Sequence, residues 1–264
     1  MEKVDLAIIG GTGVYRADML ENSKDITVTT EYGEVSLMTG EYKGRRVAFL
    51  ARHGKGHTVP PHLINYRANI QALKQLGAKR VIATTAVGSL NEQMGPKDFV
   101  LVDQFLDFTK GRISTFFEGG AKGVLHVDVT DPYCREIRDF MVKKSKELGF
   151  RVHDGGCYVC AEGPRFETPA EIKMFKMLGG DLVGMTNVPE VVLAREAGLC
   201  YATVSMVTNY AAGISPNPLS HGEVLEVMAE ISANISQLIM ATIEGISLEG
   251  QCQCKNGPAE AGNL

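Results

Sequence analysis

Four short runs in this 264-residue sequence combine glycine, hydroxyl and basic residues in the ways that hold small anions. Gly10-Gly11-Thr12-Gly13 follows the apolar run Val4–Ile9. A strand running into glycines lets backbone N–H groups approach an oxyanion closely, and Thr12 adds a hydroxyl. A dinucleotide fingerprint would need a small residue where Arg16 stands, and no Lys-Ser or Lys-Thr completes a Walker loop. The alternative is an ordinary tight turn. Ala51-Arg52-His53-Gly54-Lys55-Gly56-His57 follows a second apolar run. Its arginine has the fork that suits bidentate phosphate contact, and its alternative is a solvated surface turn. Thr84-Thr85-Ala86-Val87-Gly88-Ser89 ends a β-branched run with hydroxyls and exposed backbone N–H groups. Met185-Thr186 precedes a helix start, where the helix dipole favours an anion. Strand ends of this kind, brought together, would make one phosphate site.

The elements that must position these runs are legible from periodicity. Strands are expected over 4–9, 26–30, 34–38, 46–51, 80–85, 99–102, 156–161 and 199–208. Helices are expected over Pro61–Leu76 and Pro132–Leu148. Three more open at capping signals: Thr168-Pro169-Ala170-Glu171, Asn187-Val188-Pro189-Glu190 and Ser220-His221-Gly222-Glu223. The last carries Val224, Val227, Met228, Ile231, Ile235, Leu238 and Ile239 on one stripe. Strands alternating with helices indicate an α/β fold with a parallel or mixed sheet. Residues 1–248 read as one domain, and 249–264, poor in apolar side chains, as a flexible tail.

Composition narrows the function. Hydrophobic residues make up 44% and charged residues 22%, with a formal net charge of −4. That balance argues against a nucleic-acid or membrane surface while leaving room for a local cationic pocket. No apolar run approaches the ~18 residues of a membrane span. The start, MEKVDLAIIGGTG, has no small-residue cleavage site, so the expected location is the cytoplasm. Of six cysteines, Cys134, Cys157, Cys160 and Cys200 sit among apolar neighbours and read as reduced, buried thiols. Cys252-Gln253-Cys254 leaves a disulfide or a metal site open. No His/Cys grouping has zinc spacing, and no metal is expected.

The runs IIGGTG, ARHGKGH, NYRAN, TTAVGSLNE, EGPRFET and GMTNVPEVVLAREAG, taken in order over roughly residues 4–245, resemble the purine nucleoside phosphorylase and methylthioadenosine phosphorylase family. The resemblance implies a single-domain fold: a mixed, partly barrel-like β-sheet flanked by helices. It implies an enzyme, a pentosyltransferase of purine salvage. Phosphate would be the co-substrate, with no metal or organic cofactor. It also implies a homotrimer or hexamer. By position, Thr12, Arg52, His53, Thr85, Ala86 and Thr186 would bind phosphate. Met185 would pack under the sugar and Phe166 stack near the base, with His126 a contribution from a neighbouring subunit.

The same resemblance takes sides on the base. A 6-oxopurine presents N1–H as a donor and O6 and N7 as acceptors. Glu167 falls where a carboxylate would take N1–H, and Asn209 where 6-amino enzymes carry aspartate. Both are expected to act on the base during cleavage of inosine and guanosine to free base and ribose 1-phosphate. His221 falls where a histidine bonds the 5′-hydroxyl. The rest of the text is closer to the methylthio branch, so 5′-methylthioinosine or 5′-methylthioadenosine is the alternative substrate.

Overall fold

Strand β1 (Leu6–Gly10) is buried on both faces, and its alternation sets the layers of the molecule. Ala7 and Ile9 point to one side, where they pack with Ile70 and Leu73 of helix α1 (Tyr66–Gln75) and Val191 and Leu193 of α4 (Asn187–Glu196). Leu6 and Ile8 point to the other, against Ile137 and Met141 of α2 (Arg135–Glu147) and Ile235 and Leu238 of α5 (His221–Gly245). Period-two side chains on a strand buried between two helical layers produce this division. In this computed structural model the described residues are 2–11, 14, 20–214 and 221–257, with the side chains of His221 and Glu223 outside that set.

Among the described residues, eleven strands form one mixed sheet. Strands β4 (Arg45–Ala51), β1, β5 (Arg80–Ser89) and β11 (Cys200–Tyr210) run parallel, so their carboxyl ends share one edge. Strands β2 (Glu21–Thr30) and β3 (Gly33–Tyr42) extend that sheet as an antiparallel pair beyond β4. Beyond β11 lie β6 (Phe99–Leu101) and then β8 (Val152–Asp154). A second arm leaves β5 through β10 (Leu182–Gly184), followed by β9 (Cys157–Ala161) and β7 (Gln104–Phe108). Helix α3 (Pro169–Met177) covers this arm through Ile172 and Phe175. The fold is the expected α/β class: one mixed sheet, branched at β5 and flanked by helices.

The structure departs from the sequence reading in defined places. Strands β8 and β10 have three residues each and β7 five, mostly half-exposed, too short or too mixed to show a period. Strand β5 continues to Ser89, so the hydroxyl-glycine run is strand and not loop. Helix α1 begins at Tyr66, capped by Asn65, after a separate 3-10 turn at Pro61–Leu63. The capping box of α3 forms as read, whereas α4 carries Val188 in an extended conformation inside its first turn. The Ser220 capping signal lies outside the described residues.

Two further readings change. Segment Val224–Gly245 does have the length and apolarity of a membrane span, with mean hydropathy 1.3. Its apolarity is one-sided, however. Met228, Ile231, Ile235, Leu238, Ile239 and Ile243 are buried on the sheet and α2, while Glu226, Glu230 and Glu244 are exposed. The tail is not loose over its described part. Leu248 and Cys252 pack on the α2/α5 core, Cys254 is buried, and Gln251 N–H donates to Glu136 Oε1 at 2.7 Å. Few apolar residues suffice here because a backbone donor and a buried thiol supply the anchoring.

The stripe on α5 makes a direct prediction. Ile235→Ala should lower the unfolding free energy by about 2–5 kcal/mol in urea denaturation, the usual loss for a fully buried aliphatic. Asn234→Ala, one residue away on the exposed face, should change it by no more than about 0.5 kcal/mol. Equal effects would overturn the assignment of the buried face.

Candidate active site

The cavity arises from the way β5 is shared. Residues Leu6–Ile9 of β1 pair with Arg80–Ala83, and β10 pairs with Gly88 and Ser89 on that same side. Between them, Thr84 to Val87 have β11 on one edge only. Backbone groups alternate between strand edges. The Thr84 carbonyl faces the gap, where it accepts from Arg52 Nη1 at 2.8 Å. Ala86, two residues on, turns its N–H and C=O to the same side. The gap opens into a cavity of about 380 Å3 lined by Gly11, Arg52, His53, Thr85, Ala86, Phe166, Glu167, Met185, Thr186 and Asn209, among others. Nine of the twelve expected site positions thus meet in one place; Thr12 and the His221 side chain lie outside the described residues, and α5 reaches the cavity through Val224. Thr85 and Ser205 hydroxyls lie 2.9 Å apart.

Glycine is required on both banks of the gap. A Cβ on Gly11 would stand 2.8 Å from the Thr84 carbonyl oxygen, and one on Gly184 would collide with Tyr158 Oη. Gly11 N–H donates to Thr84 Oγ1 at 2.9 Å, and Arg52 N–H to the Gly10 carbonyl at 3.1 Å. The ends of β1, β4 and β5 are thereby tied together.

Arg52 does not present the open fork that its sequence context suggests. Its Nε and Nη2 donate to the two oxygens of Glu190, both at 2.7 Å, with both side chains buried. Burial alone would disfavour the arginine's charge, but the Glu190 carboxylate outweighs it and raises the Arg52 pKa further. Three of the five N–H donors are spent on Glu190 and Thr84, leaving two. Tyr201 Oη lies 2.8 Å from Glu190 Oε1 and 3.2 Å from Asn187 Oδ1. His53 Nδ1 lies 2.9 Å from the Val59 carbonyl. A carbonyl only accepts, so Nδ1 carries the hydrogen and Nε2 is a bare acceptor in the neutral ring. Burial first, then the Arg52 charge, pushes the His53 pKa down to about 4 despite the bond to Val59. The ring is therefore neutral near pH 7.

At the other end, a register shift in β11 between Val207 and Asn209 leaves Thr208 as an extra residue and sets Asn209 opposite Gly88. Asn209 Nδ2 donates to the Tyr210 carbonyl at 2.9 Å, and Oδ1 accepts from Thr208 Oγ1 at 2.8 Å. The carbonyl partner fixes the amide orientation and leaves one N–H over. Glu167 Oε1 is buried with no hydrogen-bond partner. Burial raises its pKa above the ordinary carboxylate value, with the nearby Glu171 charge adding to the rise. The combination offers a charge-compensated arginine with spare N–H donors for an anion at one end and, at the other, one acceptor beside one amide donor.

Two contributors are absent from the expected site residues, Glu190 being expected only as an acid at the start of α4. Glu190 stands alone in the apolar run VPEVVLA, which is the trace a buried, paired acid leaves. Arg112, with a side chain 2% exposed, donates Nη1 to the carbonyls of Met185 at 2.7 Å and Val188 at 2.8 Å, and Nη2 to that of Glu162 at 2.6 Å. It ties together the loops that carry Met185-Thr186 and Phe166-Glu167. His126 is exposed and is not among the residues lining this cavity.

Fold and cavity define a mixed-sheet α/β protein with one polar-lined cavity at the strand ends. Residues 5–244 match the Phosphorylase superfamily, and the chain belongs to it. It is 59% identical to a probable 6-oxopurine nucleoside phosphorylase of Dictyoglomus turgidum over 255 residues, covering 97% of each chain. It is 54% identical to a 6-oxopurine nucleoside phosphorylase of Pyrococcus furiosus over 95% of this chain and 96% of that one. Methylthionucleoside phosphorylases are found among the relatives at lower identity. A solved methylthioadenosine phosphorylase from an antarctic soil metagenomic library superposes with a TM-score of 0.92 at 37% identity, over 99% of this chain and 93% of that one.

Glu190→Gln should be costly, because it leaves the buried Arg52 charge facing a neutral partner. The expected loss is about 3–5 kcal/mol of unfolding free energy, or failure to fold. Urea denaturation measures it, and a loss under about 1 kcal/mol would mean that the pair does not hold this end of the site together.

Proposed function

We propose that this chain cleaves 6-oxopurine nucleosides with inorganic phosphate, releasing free base and ribose 1-phosphate. The observation that carries this reading is the placing of Glu167 and Asn209 in one cavity with the donor-rich gap. A purine with N1–H gives the unpartnered Glu167 oxygen its missing donor, and N7 or O6 accepts the spare N–H of Asn209. A 6-aminopurine offers a bare N1 to a carboxylate instead, and both groups repel. Phosphate occupies the gap, held by the Ala86 N–H, the two remaining Arg52 donors, His53, the Thr85 and Thr186 hydroxyls and Thr12. Met185 lies under the sugar and Phe166 beside the base.

Holding both substrates in one cavity removes much of the entropic barrier. As the glycosidic bond stretches, positive charge grows on the ribose and is met by the phosphate, which then attacks C1′. Negative charge moves into the base, where the Asn209 donor is already aimed. One such preorganised donor is worth about 10²–10³-fold in rate. These steps call on no metal or organic cofactor. We read the active species as a trimer or hexamer, because Phe166 at the cavity is 42% exposed and a neighbouring subunit, with His126 the candidate contributor, would cover it. Sedimentation of a fully active monomer would overturn that part.

With phosphate present, inosine and guanosine should be cleaved, and adenosine should be at least about 100-fold poorer in kcat/KM, since a buried mismatched donor and acceptor are heavily penalised. Base release without phosphate, or comparable rates on adenosine and inosine, would overturn the proposal. Including 5′-methylthioinosine and 5′-methylthioadenosine in the same panel tests the second reading, which the methylthionucleoside phosphorylases among the relatives support. The His221→Met variant should move the preference toward the methylthio substrate.

The raised pKa of Glu167 gives a second test. A carboxyl that holds its proton more tightly when folded stabilises the protein below the ordinary carboxylate pKa of about 4.3, and that contribution is lost as pH rises through the folded value. Glu167→Gln should therefore melt higher than the parent at about pH 8, with the gap closing at about pH 4, while kcat/KM on inosine falls by about 100-fold. Equal melting temperatures at both pH values would show that Glu167 is not destabilised in the free enzyme.

A further inference from the structure

Four cysteine sulfurs from three separate parts of the chain meet outside the cavity. Cys134 sits at the N-cap of α2 without making a side-chain cap bond, Cys200 opens β11, and Cys252 and Cys254 come from the tail. Each sulfur lies within 4.8 Å of the other three. Cys134 and Cys254 are buried, Cys200 and Cys252 half-buried. The contacts link all four thiols into one cluster, with more than one partner open to a given sulfur. Cys200 Sγ is 3.3 Å from Cys252 Sγ, while Cys134 neighbours both Cys200 and Cys254. A tetrahedral thiolate site with metal–sulfur bonds of about 2.3 Å has sulfur–sulfur edges of about 3.8 Å, which falls inside this spread.

The surroundings suit such a site. A divalent ion with four thiolates carries two net negative charges, which need compensation when sheltered from water. Arg80, whose side chain is 2% exposed, directs Nη1 at Cys134 Sγ (3.5 Å) and Cys252 Sγ (3.7 Å) while Nη2 pairs with Glu136. Donors to ligand sulfurs are what orient and stabilise a thiolate cluster. The Cys134 N–H also donates to the Tyr201 carbonyl at 2.7 Å, which pins the α2 ligand to β11 before any ion arrives.

We propose that Cys134, Cys200, Cys252 and Cys254 form a structural tetrathiolate site for one soft divalent cation of the Zn2+ class, which fastens the tail to the body. Four S–H protons leave as four metal–sulfur bonds form, with no change of oxidation state. The test uses the full chain purified under reductant. Elemental analysis should find about one zinc per chain, or the apo protein should take up one on titration with Zn2+, and denatured intact mass should be that of the fully reduced chain. Excess chelator should lower the parent's melting temperature by about 5 °C or more and leave the Cys252→Ser/Cys254→Ser variant unmoved. Nucleoside turnover by the folded variant should stay at the parent's level, because none of the four lines the cavity. A mass about 4 Da low, showing two disulfides, would overturn the proposal. So would a reduced chain that takes up no Zn2+. If the double variant fails to fold, metal content, titration and mass of the parent decide alone.

Discussion

Strand β5 has neighbours on both edges at its two ends and on one edge in its middle, and the site depends on that interruption. A sheet that continued β1 beyond Gly10, or brought β10 lower, would saturate the edge of Thr84–Val87 with ladder bonds. By ending one partner at Gly10 and starting the next opposite Gly88, the fold leaves backbone groups unpaired at the centre of a buried sheet. Unpaired backbone groups in an interior cost free energy unless something takes them up. The Arg52 guanidinium takes the Thr84 carbonyl, and the cavity offers the remainder to a ligand.

Charge in this cavity is handled by cancellation. Arg52 is buried, and an isolated buried guanidinium would be prohibitive, so Glu190 meets it with both oxygens. Tyr201 and Asn187 continue the polar cluster under the sheet. The result near the gap is a rigid set of donors with little net charge of its own. Arg112 does comparable work on the far bank, where one side chain spans two loops. Preorganised donors in a dry site hold a polar ligand without reorganising, which is the condition for stabilising charge that develops during a reaction.

What could be read beforehand follows the range of each interaction. The β-branched run at 80–85, the α5 stripe and the Thr168–Glu171 capping box are local signals, and each produces its element. Strands β8 and β10 have three residues and exist because neighbours pair with them. Glu190 and Arg52 are 138 residues apart, so nothing near either one announces the other. The anion-suited runs were legible as types, because glycine and hydroxyl at strand ends have few other uses. That Arg52's fork was already spoken for was not. The tail's low apolar content concealed Cys252 and Cys254, whose anchoring partners lie in α2, β5 and β11.

The tautomer of His53 has a consequence for which anions fit. With Nδ1 committed to the Val59 carbonyl and the ring neutral, Nε2 can only accept a hydrogen bond. An oxyanion beside it is best received if it brings a hydrogen of its own. Phosphate near neutrality does, because its dianion keeps one O–H. Sulfate has the same shape and charge but no proton, and would set an oxygen lone pair against a nitrogen lone pair. With phosphate in the gap as proposed, a single backbone carbonyl at Val59, by choosing which ring nitrogen is protonated, would make the gap a reader of protonation as well as of shape.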